Sequence, residues 1–462
     1  MESRLRRPWR AAPSVLLSVV LLTAACVGGG SPTGGPTSAE TGGSAPASAP
    51  GVKTEGWESI GDVTLRVNAE NASKDTLTEL AGRWMERYPN ITVQLDFKSF
   101  DDYMKTVLNV ADSEDAPDIL LGNQGYVTDG ALVSGGLIVP LDKYFDAYGW
   151  TAWYGAATTD QFRFSDDGKT FGTGSIWGIA ESADFVGIYY NVDKLAAIGV
   201  EPPASFADFE TALEKAKSEG QLAIKLGNLE GWPATHDLGI AQGATWSAQE
   251  IRDWVFGKEG ADYTAPGNLE AAKTFKDWVD KGYLSEDANG LKYDTAWAEF
   301  AQGDGVFLIA GSWLAAGLRD AMGEDAVGFI APPPGDSGKV VAVAALSLPF
   351  HISARSKNQD LAAAFLDFVM APDKGDVYFK HGRIAAAAGV TAKPDDKVTQ
   401  QLLDAWTRIA QDDGLIYYQD WATDTMFDTI TKSLQELIGG QKSPEEFVQT
   451  VQDDWAKFQD SR

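Results

Sequence analysis

Glu181 and Asp184 place two carboxylates within the polar break Glu181-Ser182-Ala183-Asp184, between two apolar runs. Carboxylates serve two chemistries here. Facing each other across a glycosidic bond, they work as acid and base or nucleophile. Lining a pocket, they accept charge-assisted hydrogen bonds from hydroxyls. A three-residue spacing across a strand break does not oblige the groups to face one another, and neither a nucleophile elbow nor a metal cluster accompanies them. Trp232 sits in the glycine-flanked loop Gly227-Asn228-Leu229-Glu230-Gly231-Trp232-Pro233. That is a poor place for a core indole and a fair one for an indole that stacks on an apolar ring face. Trp313 follows Gly311, which lets backbone approach a ligand, at the end of the apolar run 306–310. Asn71, Asn123 and Gln124 lie in polar segments after apolar strands. Arg383 follows His381-Gly382, and Asp420 lies in Tyr417-Tyr418-Gln419-Asp420-Trp421, a polar break before a helix. Acids and amides that grip hydroxyls, with indoles that cover an apolar ring face, form the set expected of a carbohydrate site. The candidate ligand-binding residues are Asn71, Asn123, Gln124, Glu181, Asp184, Trp232, Trp313, Arg383 and Asp420.

Other chemistries find little support. His236, His351 and His381 are far apart without zinc-site spacing, and are read as structural or surface residues. Cys26 is the single cysteine, which excludes an intrachain disulfide. The turn Asp166-Asp167-Gly168 lacks the alternating oxygens of a calcium loop. No metal and no cofactor are expected.

Composition narrows the partners. The 462 residues are 44% hydrophobic and 23% charged, enough for a packed core and more than one domain. The net charge is −28. Residues 1–25 carry Arg4, Arg6, Arg7 and Arg10 against Glu2, so the remainder is about −31. Such a chain will not track a nucleic-acid backbone and will not adhere to anionic lipid by charge. Its acidity is read first as solubility.

The elements that must position these residues are legible in order. Residues 63–67 form a strand, 77–88 show helical periodicity, 91–97 alternate as a strand, 101–112 are helical and 117–121 form a third strand. This alternation predicts a parallel sheet. Ligands sit beyond the carboxyl ends of such strands, where the loops 68–73, 99–100 and 122–126 fall. Residues 162–171 read as a hairpin. Ile179 closes one short strand and 185–190 form another, followed by a short helix 194–198 and a helix capped by Ser205. Residues 221–226 read as a strand. The last helix opens with the capping box Ser443-Pro444-Glu445-Glu446.

The apolar strand, acidic break, Ile188-Tyr189-Tyr190-Asn191, short helix and capped helix follow one another in an order that resembles the bacterial extracellular sugar-binding proteins of ABC importers. Four further stretches carry the resemblance: Pro117-Asp118-Ile119-Leu120, then Gly136-Leu137 with Pro140-Leu141-Asp142, then Phe300 to Gly311-Ser312-Trp313, and Ile352-Ser353-Ala354-Arg355-Ser356-Lys357-Asn358. Together they cover nearly all of the mature chain. The resemblance implies a type II periplasmic-binding-protein-like α/β fold with two lobes, each a mostly parallel sheet flanked by helices. Residues 57–183 plus 346–383 would form the N-terminal lobe, and 184–345 plus 384–462 the C-terminal lobe, joined by crossing segments. His381-Gly382-Arg383-Ile384 would be the third crossing, without the proline that relatives often carry there. The resemblance further implies that Trp313 stacks on sugar. A monomeric, non-enzymatic receptor would capture a mono- or oligosaccharide and deliver it to the transmembrane subunits of an ABC permease. The alternatives are a secreted glycoside hydrolase or lyase, or a receptor for a polyamine, peptide or oxyanion.

The amino-terminal stretch fits such a receptor. Residues 1–10 are basic and 11–25 apolar but too short to span a membrane as a mature helix, which marks 1–25 as a signal peptide. Leu22-Thr23-Ala24-Ala25-Cys26 resembles a lipoprotein lipobox, with Thr23 where leucine is usual. That implies acylation of Cys26 and anchoring to the outer face of the bacterial cytoplasmic membrane. Residues 26–56 are rich in Gly, Ser, Thr, Pro and Ala and read as a flexible tether with a reach on the order of 30 Å.

Overall fold

The computed structural model describes residues 51–462. The expected signal peptide, Cys26 and most of the tether lie outside the described residues.

Strand β1 (Val63–Glu70) buries Leu65, Val67 and Ala69 on alternate positions, as the period of two requires. It pairs in parallel with β2 (Ile91–Lys98) along its whole length and with β3 (Ile119–Leu121). The helix Lys74–Arg87 between β1 and β2 buries Leu77, Leu80, Ala81 and Trp84, spaced to share one face. Parallel strands end together. Glu70-Asn71-Ala72, Ser99-Phe100 and Asn123-Gln124 therefore emerge from one edge of this sheet.

Strands β4 (Arg163–Phe164) and β5 (Ser175–Ile176) pair as a small hairpin. The chain then enters a second sheet through β6 (Ser182–Asn191), at ten residues the longest strand. The sequence predicted a break over 181–184. Instead Ser182, Ala183 and Asp184 are inside the strand, because β9 (Ala342–Leu346) and the later strand Ile384–Ala385 pair with them from both sides. The remainder of β6 pairs with β7 (Phe307–Gly311) and β8 (Val327–Ile330). After β9 the chain returns to the first sheet as β10 (Phe350–Ile352), antiparallel to β3. It comes back as β11 (Ile384–Ala385) and ends the second sheet with β12 (Leu415–Ile416), parallel to β9.

This topology differs from expectation in the second sheet, where β6 is antiparallel to all four of its strand neighbours. The predicted strand at 221–226 reduces to parallel bridges from Ile224 to Leu284 and Phe307. Helices including Phe206–Ser218 and Pro266–Asp280 cover this sheet, with Phe209, Phe275 and Trp278 fully buried between them. The last helix, Pro444–Asp460, carries the predicted capping box. Residues 177–181 lead from the small hairpin into β6 and 347–349 from β9 to β10, while the return from β10 to β11 runs through the helices Gln359–Met370 and Gly375–Lys380.

Candidate functional site

A cavity of about 380 Å³ lies where the ends of the two sheets meet. That is within the usual range for small-molecule sites. The first sheet contributes Glu70, Asn71, Phe100, Asp101, Asn123 and Gln124. The second contributes Asp184, Glu230, Trp232, His236, Tyr293, Asp294, Trp297, Trp313, Tyr418 and Asp420.

Local chemistry fixes these side chains. Ser99 caps the helix Phe100–Met104, its Oγ accepting from the Asp102 amide at 3.3 Å, and so sets Phe100 at the cavity mouth. Gly125 has φ 86°, and a Cβ there would press on Trp421 backbone at 2.5 Å. Glycine thus lets Asn123-Gln124 close against the 418–421 turn. The Asn123 amide donates to Asp129 Oδ1 at 2.9 Å. Trp313 begins a helical turn directly after β7, with its indole lying over Gly311.

One wall is an aromatic arc. Trp232 and Tyr293 have ring centroids 4.5 Å apart, and Phe100 meets Trp232 at 6.0 Å from the other sheet. His236 lies 5.4 Å from Trp232, 5.7 Å from Trp313 and 6.1 Å from Tyr418. Trp313 Nε1 donates to Tyr293 Oη at 3.0 Å. Burial pushes the His236 imidazole down to about 3, so it is neutral at physiological pH.

The opposite character is carboxylate. Glu70, Asp101, Asp184, Glu230, Asp294 and Asp420 line the cavity, and no lysine or arginine is among its lining residues. Behind the wall, Arg383 is 4% exposed. Its Nη1 donates to the Ala72 carbonyl at 2.8 Å, and its Nη2 donates to Ser182 Oγ at 2.5 Å and to both Asp184 oxygens at 3.3 Å. Glu181 Oε1 lies 3.7 Å from the same nitrogen and accepts from Ser73 Oγ at 2.5 Å. Burial pushes Glu70 up to about 7, with Asp184 and Glu181 adding to the shift and Arg383 opposing it. Burial likewise raises Glu181 and lifts Asp420 to about 6.

Seven of the nine sequence candidates line the cavity: Asn71, Asn123, Gln124, Asp184, Trp232, Trp313 and Asp420. Gln124 is also tied down, its Nε2 donating to Gln161 Oε1 and to the Leu346 and Ser347 carbonyls. Glu181 and Arg383 require a correction. Neither lines the cavity: beneath the crossing strands Arg383 is held chiefly by Ser182, Asp184 and the Ala72 carbonyl, and Glu181 by Ser73 with Arg383 at 3.7 Å. His236, read as a structural or surface residue, is buried but forms part of the cavity wall. Glu70 and Phe100 lie in the loops 68–73 and 99–100 expected at the strand ends but were not named as candidates, and Tyr293 and Trp297 were not anticipated. Tyr293 and Trp297 stand four residues apart on the helix Tyr293–Ala301, a spacing that puts both on one face. Among the described residues no group of His, Cys, Asp or Glu could hold a metal ion.

The pattern of the bacterial extracellular solute-binding protein family matches residues 68–376. The multiple sugar-binding protein of Streptococcus mutans is 24% identical over 269 residues, 55% of this chain and 61% of that protein. The chain therefore spans about three fifths of that relative's length. A Brucella abortus protein described as a binding protein is 24% identical over 372 residues, 77% of this chain and 83% of its own. Among solved structures, a chitin oligosaccharide binding protein superposes with a TM-score of 0.72 at 23% identity, covering 86% of this chain and 99% of its own. The GacH receptor of Streptomyces glaucescens, solved unliganded and with acarbose, gives 0.70 at 19% identity and the same coverage. At such identities the likeness is one of fold, the two-lobed α/β architecture with its cleft between sheets.

Proposed function

Because the chain belongs to the bacterial extracellular solute-binding protein family, we propose that it is the receptor of an ABC importer, capturing a mono- or oligosaccharide in the cleft and passing it to the permease. The observation that carries this reading is the aromatic arc of Trp232, Tyr293 and Trp313 facing carboxylates and amides. Indoles cover the apolar faces of a sugar ring while acids and amides bond its hydroxyls. The sugar-binding names among the relatives support the same class of ligand. We divide the lobes at 183/184, 345/346 and 383/384, near the passages from β5 to β6, from β9 to β10 and into β11. Ligand held by both lobes would favour the closed arrangement.

The test is a thermal-shift screen of the purified chain against a panel of mono- and oligosaccharides. A sugar at a hundred times its Kd stabilises the fold by about 2.7 kcal/mol. The same sugar should lower the radius of gyration in small-angle scattering. A panel without a single shift sinks the reading. A hydrolase or lyase is disfavoured because Glu181, half of the supposed acid–base pair, is held by Ser73 and Arg383 behind the wall. Product formation on long incubation with the bound sugar would reinstate it.

We further propose that the receptor is a monomer tethered through acylated Cys26 to the outer face of the cytoplasmic membrane. Cys26→Ser is expected to move the protein from the membrane to the soluble fraction with sugar binding unchanged. Retention on membranes after a high-salt wash would count against the anchor.

A further inference from the structure

We propose that this cleft selects a carbohydrate bearing a positively charged nitrogen, an amino sugar or aminocyclitol unit, over neutral and acidic sugars. The inference rests on the carbohydrate reading above and narrows it.

The first observation is the charge of the lining. Six carboxylates face the cavity, and no lysine or arginine does. The nearby cation, Arg383, is already committed to Asp184, Glu181, Ser182 and the Ala72 carbonyl. His236 adds no charge, since burial keeps it neutral. The second observation is the balance of donors and acceptors. A sugar hydroxyl both donates and accepts, so a neutral sugar is best served by a mixed lining. Ionised carboxylates only accept, and of the six only Glu70, raised to about 7, is held substantially protonated by burial. The lining donors include Asn71, Asn123 and a few hydroxyls such as Ser99 and Tyr418, while the Gln124 amide is spent on Gln161 and two backbone carbonyls and the Thr235 hydroxyl on the Trp232 carbonyl. An ammonium group only donates and carries the opposite charge, which is what such a lining complements. The rings of Trp232, Trp313 and Tyr418 extend the match, because aromatic faces attract cations as well as ring C–H groups.

A third observation is independent of the acids. His236, 1% exposed and part of the cavity wall, has an Nδ1 without a partner, and so does Trp232 Nε1 beside it. Buried polar atoms are normally satisfied. Of the twelve buried side-chain atoms without a partner among the described residues, these two lie in the wall of this cavity, where a polar ligand can supply a partner. The acids therefore line a ligand site and are more than a solvated acidic face. Burial raises the affinity of Glu70 and Asp420 for protons, at Glu70 with Asp184 and Glu181 adding to it, and a bound cation would oppose this.

The test is calorimetry on the full chain with glucosamine oligomers of two to four units and with their N-acetylated forms, which keep the skeleton and remove the charge. Neutral gluco-oligosaccharides, galacturonate oligomers and spermidine complete the set. The amine forms are expected to bind at least tenfold tighter than the N-acetylated ones, and this advantage should shrink as salt is raised. Asp101→Asn and Asp420→Asn change carboxylates that no other side chain engages. Each should reduce the advantage of the amine forms more than it reduces binding of a neutral sugar. Equal or tighter binding of neutral or N-acetylated sugars overturns the preference and leaves the receptor reading standing. Binding of spermidine alone, or of no probe, overturns both.

Discussion

Arg383→Met is expected to cost the fold about 3–5 kcal/mol at pH 7, the usual penalty for stripping one partner from a buried ion pair. The guanidinium is 4% exposed and holds together elements that are remote in sequence: the Ala72 carbonyl after β1, and Ser182 and Asp184 in β6. Without it, Glu70, Glu181 and Asp184 share a buried space with no cation. Methionine fills much of the volume, so the loss reads charge more than packing. The pH dependence gives the sign. Burial and mutual repulsion already raise Glu70 and Glu181, and removing Arg383 raises them further. A carboxyl whose folded pKa exceeds its unfolded value stabilises the fold below the unfolded value and loses that contribution as pH rises through the folded one. The variant should therefore be closest to the parent near pH 4.5 and fall progressively behind it up to pH 8. Denaturant unfolding of both proteins at pH 5 and pH 8 measures this. A loss below 1 kcal/mol, or the same loss at both pH values, would mean that Arg383 does not hold the cluster.

That cluster also marks where sequence reading stops. Glu181 and Asp184 in a polar break and Arg383 in the third crossing were all expected to face the ligand, although a charged residue is buried where a partner holds it. Only Asp184 lines the cavity. Arg383 binds Ser182 and Ala72 from 201 and 311 residues away and Glu181 binds Ser73 from 108, and nothing local announces these partners. The same charges suggested a break between two strands at 181–184. The backbone there instead finds hydrogen-bond partners in β9 and β11, which outweighs the polar composition. The first sheet was legible because its strands and its helix are local and periodic. Asn71 and Asn123 followed from it, since residues after parallel strands converge at one edge. Trp232 and Trp313 were legible because glycines beside a large ring argue against core packing. Tyr293 and Trp297 were not, because an aromatic pair on a helix has the same spacing whether it faces a core or a ligand. Tyr293 does some of both, at 9% exposure.

Trp313→Ala is expected to weaken sugar binding at least tenfold, about 1.4 kcal/mol, while leaving the unfolding midpoint nearly unchanged. The indole is only partly buried, and the residues after it, Leu314 and Ala315, are the ones that pack into the core. Its loss removes one face of the aromatic arc and takes the hydrogen bond from Tyr293 Oη, which then rests less firmly against Trp232. Gly311→Ala gives a sharper test of position. At φ −77° and ψ 157° the backbone accepts any residue. The added methyl would nevertheless overlap the Trp313 ring, so the indole must tilt toward the cavity or away from Tyr293. If placement of the ring matters, this variant should lose most of the affinity that Trp313→Ala loses, although its indole is intact. Calorimetry with the sugar that gives the largest thermal shift decides the matter. Equal affinity in all three proteins would make Trp313 a packing residue. Loss in Trp313→Ala but not in Gly311→Ala would mean that the ring contributes apolar contact without depending on where Gly311 lets it lie.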